Sequence, residues 1–153
     1  MTKDALQRIM TMTPPLETRL QVGALCLNAE GRVLLITSRN TGRWVIPKGW
    51  PMAGRTHADS ALQEAWEEAG VKGAVAETVI GTYHYAKMLR DGRSAAIAVA
   101  VYPVAVTALA DDFPEAGQRR RRWFRPRKAA KRVAEPELQA LLAALPDPGP
   151  RTG

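Results

Sequence analysis

The segment from Thr56 to Gly70, THADSALQEAWEEAG, constrains this chain most, because it reads as one helix carrying three glutamates within about one turn. Thr56 stands as an N-cap with Asp59 three residues on, and Gly70 sits where helices commonly stop. At about 100° per residue, Ala58, Ala61, Leu62, Ala65 and Ala69 fall within one apolar arc, which is the face to be buried. Glu64, Glu67 and Glu68 lie beside that arc rather than opposite it. Three like charges therefore border a core.

An ordinary solvated helix face would pair its charges along the helix. Here the positions four before and after Glu64 are Ser60 and Glu68, and those around Glu67 are Gln63 and Val71. Like charges at this spacing cost about 0.2–0.5 kcal/mol each, and only Lys72, beyond the helix end, offers a cation. Compensation is expected from outside the helix. Oxygen-only clusters suit hard cations, and Mg²⁺ prefers one or two carboxylates together with waters and phosphate oxygens. One turn offering three carboxylates fits that chemistry and leaves the third free to accept a proton from water.

Around this helix the chain alternates strand-like runs. RLQVGALCLNAEGRVLLITSR reads as a hairpin of Val22 to Leu27 and Val33 to Ile36, turning at NAEG. RWVIPKG is a short β-like run, and Val75 to Tyr85 and Ala95 to Val106 are two longer ones. RRWFRP reads as a last short strand leading into a helix, EPELQALLAAL, with Pro136 near its first turn. A length of 153 residues with 46% hydrophobic side chains suits one domain. The expected fold is an α/β sandwich, with an extension at 1–18, the domain at 19–145 and a disordered tail at 146–153.

The formal charge is +7, yet nine of the 22 Lys and Arg residues lie between Arg119 and Arg132; without them 13 cations face 15 acids, a remainder of −2. The excess is one local feature, suited to a phosphorylated small molecule or to nucleic acid. Alternation along a strand at 121–125 sends Arg121 and Trp123 to one face and Arg122 and Phe124 to the other, and Arg122 is the one assigned to substrate. Cys26 is the single cysteine, so neither an intrachain disulfide nor a cysteine-based metal centre is expected. No apolar run approaches the roughly 20 residues that span a bilayer, and a cytoplasmic monomer or homodimer with no membrane contact is expected.

Gly49, Glu64, Glu67, Glu68, Gly70 and Val71 fall on the signature G-x5-E-x7-R-E-U-x-E-E-x-G-U, in which U is a bulky aliphatic residue; the chain thereby resembles the Nudix hydrolases. Ala65 is a small substitute at the first U. Arg55 stands where the signature has its first glutamate, and Gln63 replaces its arginine. The order of hairpin, RWVIPKG, helix, strands, RRRRWF and helix looks like the diphosphoinositol and diadenosine polyphosphate phosphohydrolase branch.

The resemblance implies an α/β/α sandwich with a mixed sheet, and hydrolysis of a diphosphate linkage in a phosphate-rich substrate by water attacking phosphorus. Other nucleoside diphosphate derivatives, namely nucleotide sugars, nucleoside triphosphates and capped RNA, are the alternative substrates. A weakly catalytic module binding polyphosphate or nucleic acid is the alternative role. By position, Glu64 and Glu68 would hold Mg²⁺, or Mn²⁺ in its place, with the carbonyl of Gly49, and Glu67 would take the proton. Arg19, Ser38, Arg39 and Lys48 would contact phosphates, and Asp111, Asp112 or Glu115 could add a carboxylate from outside the signature.

Overall fold

The computed structural model describes residues 18–148, so residues 1–17 of the expected extension and 149–153 of the expected tail lie outside the described residues. Eight strands form one mixed sheet: β1 (Arg19–Leu27), β2 (Val33–Thr37), β3 (Trp44–Val45), β4 (Lys48–Gly49), β5 (Val71–Val75), β6 (Gly81–Met88), β7 (Ser94–Leu109) and β8 (Arg121–Phe124). Helix α1 (His57–Ala69) covers one face; α2 (Pro126–Arg132) and α3 (Pro136–Ala143) pack together on the other.

The parallel pairing of β1 with β7, from Arg19 opposite Ile97 to Leu27 opposite Ala105, is the spine of the sheet. Antiparallel strands flank it: β6 pairs the first half of β7, β5 the second, and β2 and β4 lie beyond β1. Both faces of the spine are covered, which is why β1 is buried without interruption from Gln21 to Cys26. Side-chain alternation divides it. Val22, Ala24 and Cys26 join the core under α1, whereas Leu25 joins that under α2 and α3.

The helix boundaries follow the sequence. The Thr56 hydroxyl accepts the Asp59 N–H at 3.0 Å, and Gly70 closes α1 in the left-handed conformation at φ 70°. Ala58, Ala61, Ala65 and Ala69 are buried, with Leu62 packed against them.

The expected run Val75 to Tyr85 is instead two strands. Its middle, residues 76–80, runs along the same edge of β7, away from β1, with the Ala76 and Ile80 N–H groups bonded to the carbonyls of Pro103 and Val101. One long strand thus pairs with β5 and β6 in turn along a single edge. The basic segment also contains a helix not expected from its sequence, α2, with Pro126 at its start and Ala129 buried.

Candidate active site

Gly49 and α1 meet so closely that a Cβ on Gly49 would collide with the Glu64 carboxylate. Alternation in β4 turns Gly49 toward α1 and Lys48 toward the opposite face, as their partners Val22 and Gly23 on β1 require. The loop between β4 and α1 is fixed by the Met52 N–H, which donates to the buried Ser60 hydroxyl at 2.9 Å.

Glu64 and Glu68 lie side by side, one turn apart. Burial, then the charges of Glu68 and Glu67, push the Glu64 carboxyl up to about 8. Burial raises Glu68 as well, and Arg119 and Lys48 oppose that rise. Glu68 accepts the Lys48 backbone N–H at 3.3 Å and faces the Arg119 guanidinium at 3.7 Å. Glu67 is half-buried, and its side chain makes no hydrogen bond or ion pair among the described residues.

Arg119 ties this turn to two other segments. It donates to the Thr37 carbonyl at the end of β2 at 3.1 Å and pairs with Glu115 at 3.1 Å. Glu115 sits on the loop between β7 and β8, whose place is set by the Glu115 N–H donating to the Glu67 carbonyl at 3.0 Å. Arg121 clasps the same loop to the end of α1, donating to the carbonyls of Ala69 at 2.8 Å and Ala110 at 2.7 Å.

The two departures from the signature touch one another. Arg55 Nη1 donates to Gln63 Oε1 at 3.3 Å on the exposed side of α1.

Among the described residues, no three His, Cys, Asp or Glu side chains gather closely enough to hold a metal ion by themselves. Two adjacent carboxylates with a glycine backbone against one of them do suit a hard cation that takes one or two carboxylates and fills its remaining positions with water and phosphate. The oxygen-only donor set fits Mg²⁺ or Mn²⁺.

Of the residues singled out in sequence, Gly49, Lys48, Glu64, Glu67 and Glu68 converge. Arg39 reaches the rim, donating to Gln118 at 3.0 Å and lying 3.8 Å from Glu115. The Ser38 backbone is spent in a tight turn with Gly42 and Arg43, and Arg19 is exposed at the start of β1. Arg122 is exposed on the face away from α1, because its neighbours Arg121 and Trp123 take the α1 side; Arg119 is the arginine of the run that approaches the acidic turn. Asp111 meets Arg121 at 3.3 Å. His84 belongs to β6, where Glu137 accepts its N–H at 2.9 Å. Arg119, Arg121 and Ser60 escaped the sequence reading. Only Arg119 carried a signal, its spacing of four from Glu115.

A family model described as NUDIX domain matches residues 17–145. The chain is 32% identical over 100 residues to Nudix hydrolase 12, mitochondrial, of Arabidopsis thaliana, covering 63% of this chain and 49% of that protein. It is 30% identical over 116 residues to human diphosphoinositol polyphosphate phosphohydrolase 3-alpha, covering 72% of this chain and 66% of that one. This chain thus spans about half to two thirds of the length of these curated relatives. Among solved structures, a C. elegans Ap4A hydrolase binary complex superposes with a TM-score of 0.58 at 19% identity, over 82% of this chain and 93% of that one, a likeness of fold. With the signature helix, the mixed sheet and the family match in agreement, the chain belongs to the NUDIX domain family.

Proposed function

We propose that this protein is a divalent-cation-dependent pyrophosphohydrolase that cleaves a diphosphate linkage in a phosphate-rich substrate of the diadenosine polyphosphate or diphosphoinositol polyphosphate type. The observation that carries the reading is the crowding of Glu64, Glu67 and Glu68 on one turn, with the Glu64 carboxyl raised to about 8 by burial and its like-charged neighbours. Positive charge supplied from outside relieves that crowding. The relative named for diphosphoinositol polyphosphates supports the substrate class.

Glu64 and Glu68 would hold the cation, which supplies Lewis-acid charge stabilisation and lowers the pKa of a bound water. Glu67, with its side chain unengaged, accepts a proton from the attacking water. The water oxygen bonds to phosphorus as the phosphoanhydride P–O bond breaks, and the bridging oxygen departs with the leaving phosphate. Arg119, held at three points, offers fixed positive charge to the phosphates. Exposed Arg122, Arg127, Lys128 and Lys131 attract polyanions to the molecule at long range.

The test is a substrate screen with Mg²⁺ or Mn²⁺ against dinucleoside polyphosphates, diphosphoinositol polyphosphates, nucleotide sugars and nucleoside triphosphates. Release of phosphate-bearing products from a member of the first two classes, abolished by chelation, supports the reading. No turnover of any substrate with either cation would overturn it.

A further inference from the structure

Strand β8 and helix α2 expose a second concentration of like charge, apart from the acidic turn. Arg120 continues the ladder of β8 by one residue, its carbonyl accepting the Thr37 N–H at 3.0 Å. Alternation then sets Arg120, Arg122 and Phe124 on the face covered by α2 and α3, with Arg121 and Trp123 on the side of α1. Ring contacts tie this face together. The Arg120 guanidinium lies 5.5 Å from the centre of the Trp44 ring, Trp44 meets Phe124 edge-on at 5.1 Å, and Arg132 of α2 lies 6.0 Å from the Phe124 ring. Arg120, Arg122 and Arg132 therefore belong to one continuous array.

Helix α2 adds Arg127, Lys128 and Lys131, all exposed, and contains no acidic residue. Arg127 and Lys131 are four apart, as are Lys128 and Arg132, so each pair repels across one turn. Arg127 and Lys128 also stand at the positive end of the helix dipole, where cations are disfavoured. Among the described residues, the side chains of Arg120, Arg122, Arg127, Lys128, Lys131 and Arg132 make no hydrogen bond or ion pair. Repulsion without internal compensation is relieved by an anion from outside.

The layout of the cations decides which anion. They run along a strand and on to a helix rather than around a pocket, which suits a chain of phosphates better than one small molecule. Residues two apart on a strand stand about 6.8 Å from each other, a spacing like that of successive phosphates along an extended nucleic-acid strand. The array bends where β8 gives way to α2 at Pro126. A flexible single strand follows such a bend, whereas a duplex, stiff over about 150 base pairs, does not. A membrane surface is the poorer fit, because surface-bound elements pair their cations with exposed apolar side chains. The large exposed apolar residues Leu20, Trp50, Val79, Ile80 and Met88 all lie outside β8 and α2.

We propose that Arg120, Arg122 and Arg132, with the neighbouring cations of α2, form a docking surface for the phosphodiester backbone of single-stranded nucleic acid, without base specificity. The ring contacts hold Arg120 and Arg132 in place beforehand, so less side-chain freedom is lost when phosphate arrives. The surface is separate from the acidic turn, since Arg122 faces away from α1, and it requires neither a divalent cation nor turnover.

The test is fluorescence anisotropy of fluorescein-labelled dodecauridylate with the full chain in EDTA, at salt concentrations from about 50 to 200 mM. Wild type should bind, with log affinity falling linearly against log salt. The triple variant Arg122→Gln, Lys128→Gln, Lys131→Gln should bind at least tenfold more weakly at the lowest salt, with a slope shallower by about 2, roughly 0.7 for each lost contact. Arg122→Gln alone should give about a third of that change in slope, so a folding defect in the triple variant does not decide the matter. A control that removes three cations at the opposite end of the sheet, Lys72→Gln, Arg90→Gln, Arg93→Gln, should lose no more than about threefold. No binding by wild type, an equal loss in the control, tighter binding of the corresponding duplex, or retention on phosphatidylserine vesicles of a chain that leaves the oligonucleotide unbound would each overturn the proposal. The assay contains no divalent cation and no small substrate, so its outcome leaves the hydrolase reading untouched.

Discussion

The carboxylate of Glu64 rests on the backbone of Gly49 with no room for a single added carbon. Gly49→Ala therefore displaces either the carboxylate or β4. A shift of about 1 Å at such a site costs on the order of a hundredfold in rate, so kcat should fall by about that factor while the melting temperature changes little. Steady-state kinetics beside a thermal melt checks this. The contact between Arg55 and Gln63 gives a second expectation. Gln63→Arg alone sets two guanidinium groups against each other and lowers both stability and activity; adding Arg55→Glu replaces repulsion by attraction. A double-mutant cycle should return a favourable coupling of about 0.5 kcal/mol or more, and a coupling of zero would mean that the pair does not act as a unit.

At the level of elements, α1 was the most legible part of the chain. Its cap, its alanine arc, its stop at Gly70 and the carboxylates at its border are all local properties of one stretch. What the sequence concealed was assembly. The division of residues 75–85 between β5 and β6 follows from the length of β7, to which both pair, and no local pattern reports that. Arg119, Arg121 and Arg122 are the same residue type in one run, but one pairs with Glu115 and Glu68, one closes the end of α1 and one faces solvent. The clasp made by Arg121 has a measurable role. Arg121→Ala leaves the carbonyls of Ala69 and Ala110 without their donor and should destabilise the fold by about 1–3 kcal/mol in denaturant unfolding. It should also loosen the loop that holds Glu115, visible as faster amide exchange at residues 111–118.

Across the whole molecule, the acidic turn links stability to pH and to cations. Glu64 titrates at about 8 in the folded chain against 4.5 for an ordinary carboxyl, and Glu68 is shifted in the same direction. Between these values the folded state binds more protons than the unfolded state, so stability is lost as pH rises from about 4.5 to about 8. Chelated protein should melt at lower temperature at pH 8 than at pH 5, and added Mg²⁺ should raise the melting temperature more at pH 8, where the carboxylates are ionised and ready to bind. Cation uptake near pH 7 should release protons, measurable by calorimetry in buffers of different ionisation enthalpy. The central claim is that these three glutamates divide the work of cation binding and proton transfer. It is tested most directly by the turnover of diadenosine tetraphosphate by Glu67→Gln in saturating Mg²⁺, beside calorimetric Mg²⁺ binding to the same variant. Loss of turnover by about 10²–10⁴ with Mg²⁺ affinity preserved is the predicted result; a loss smaller than about tenfold would contradict the assignment of Glu67 as proton acceptor.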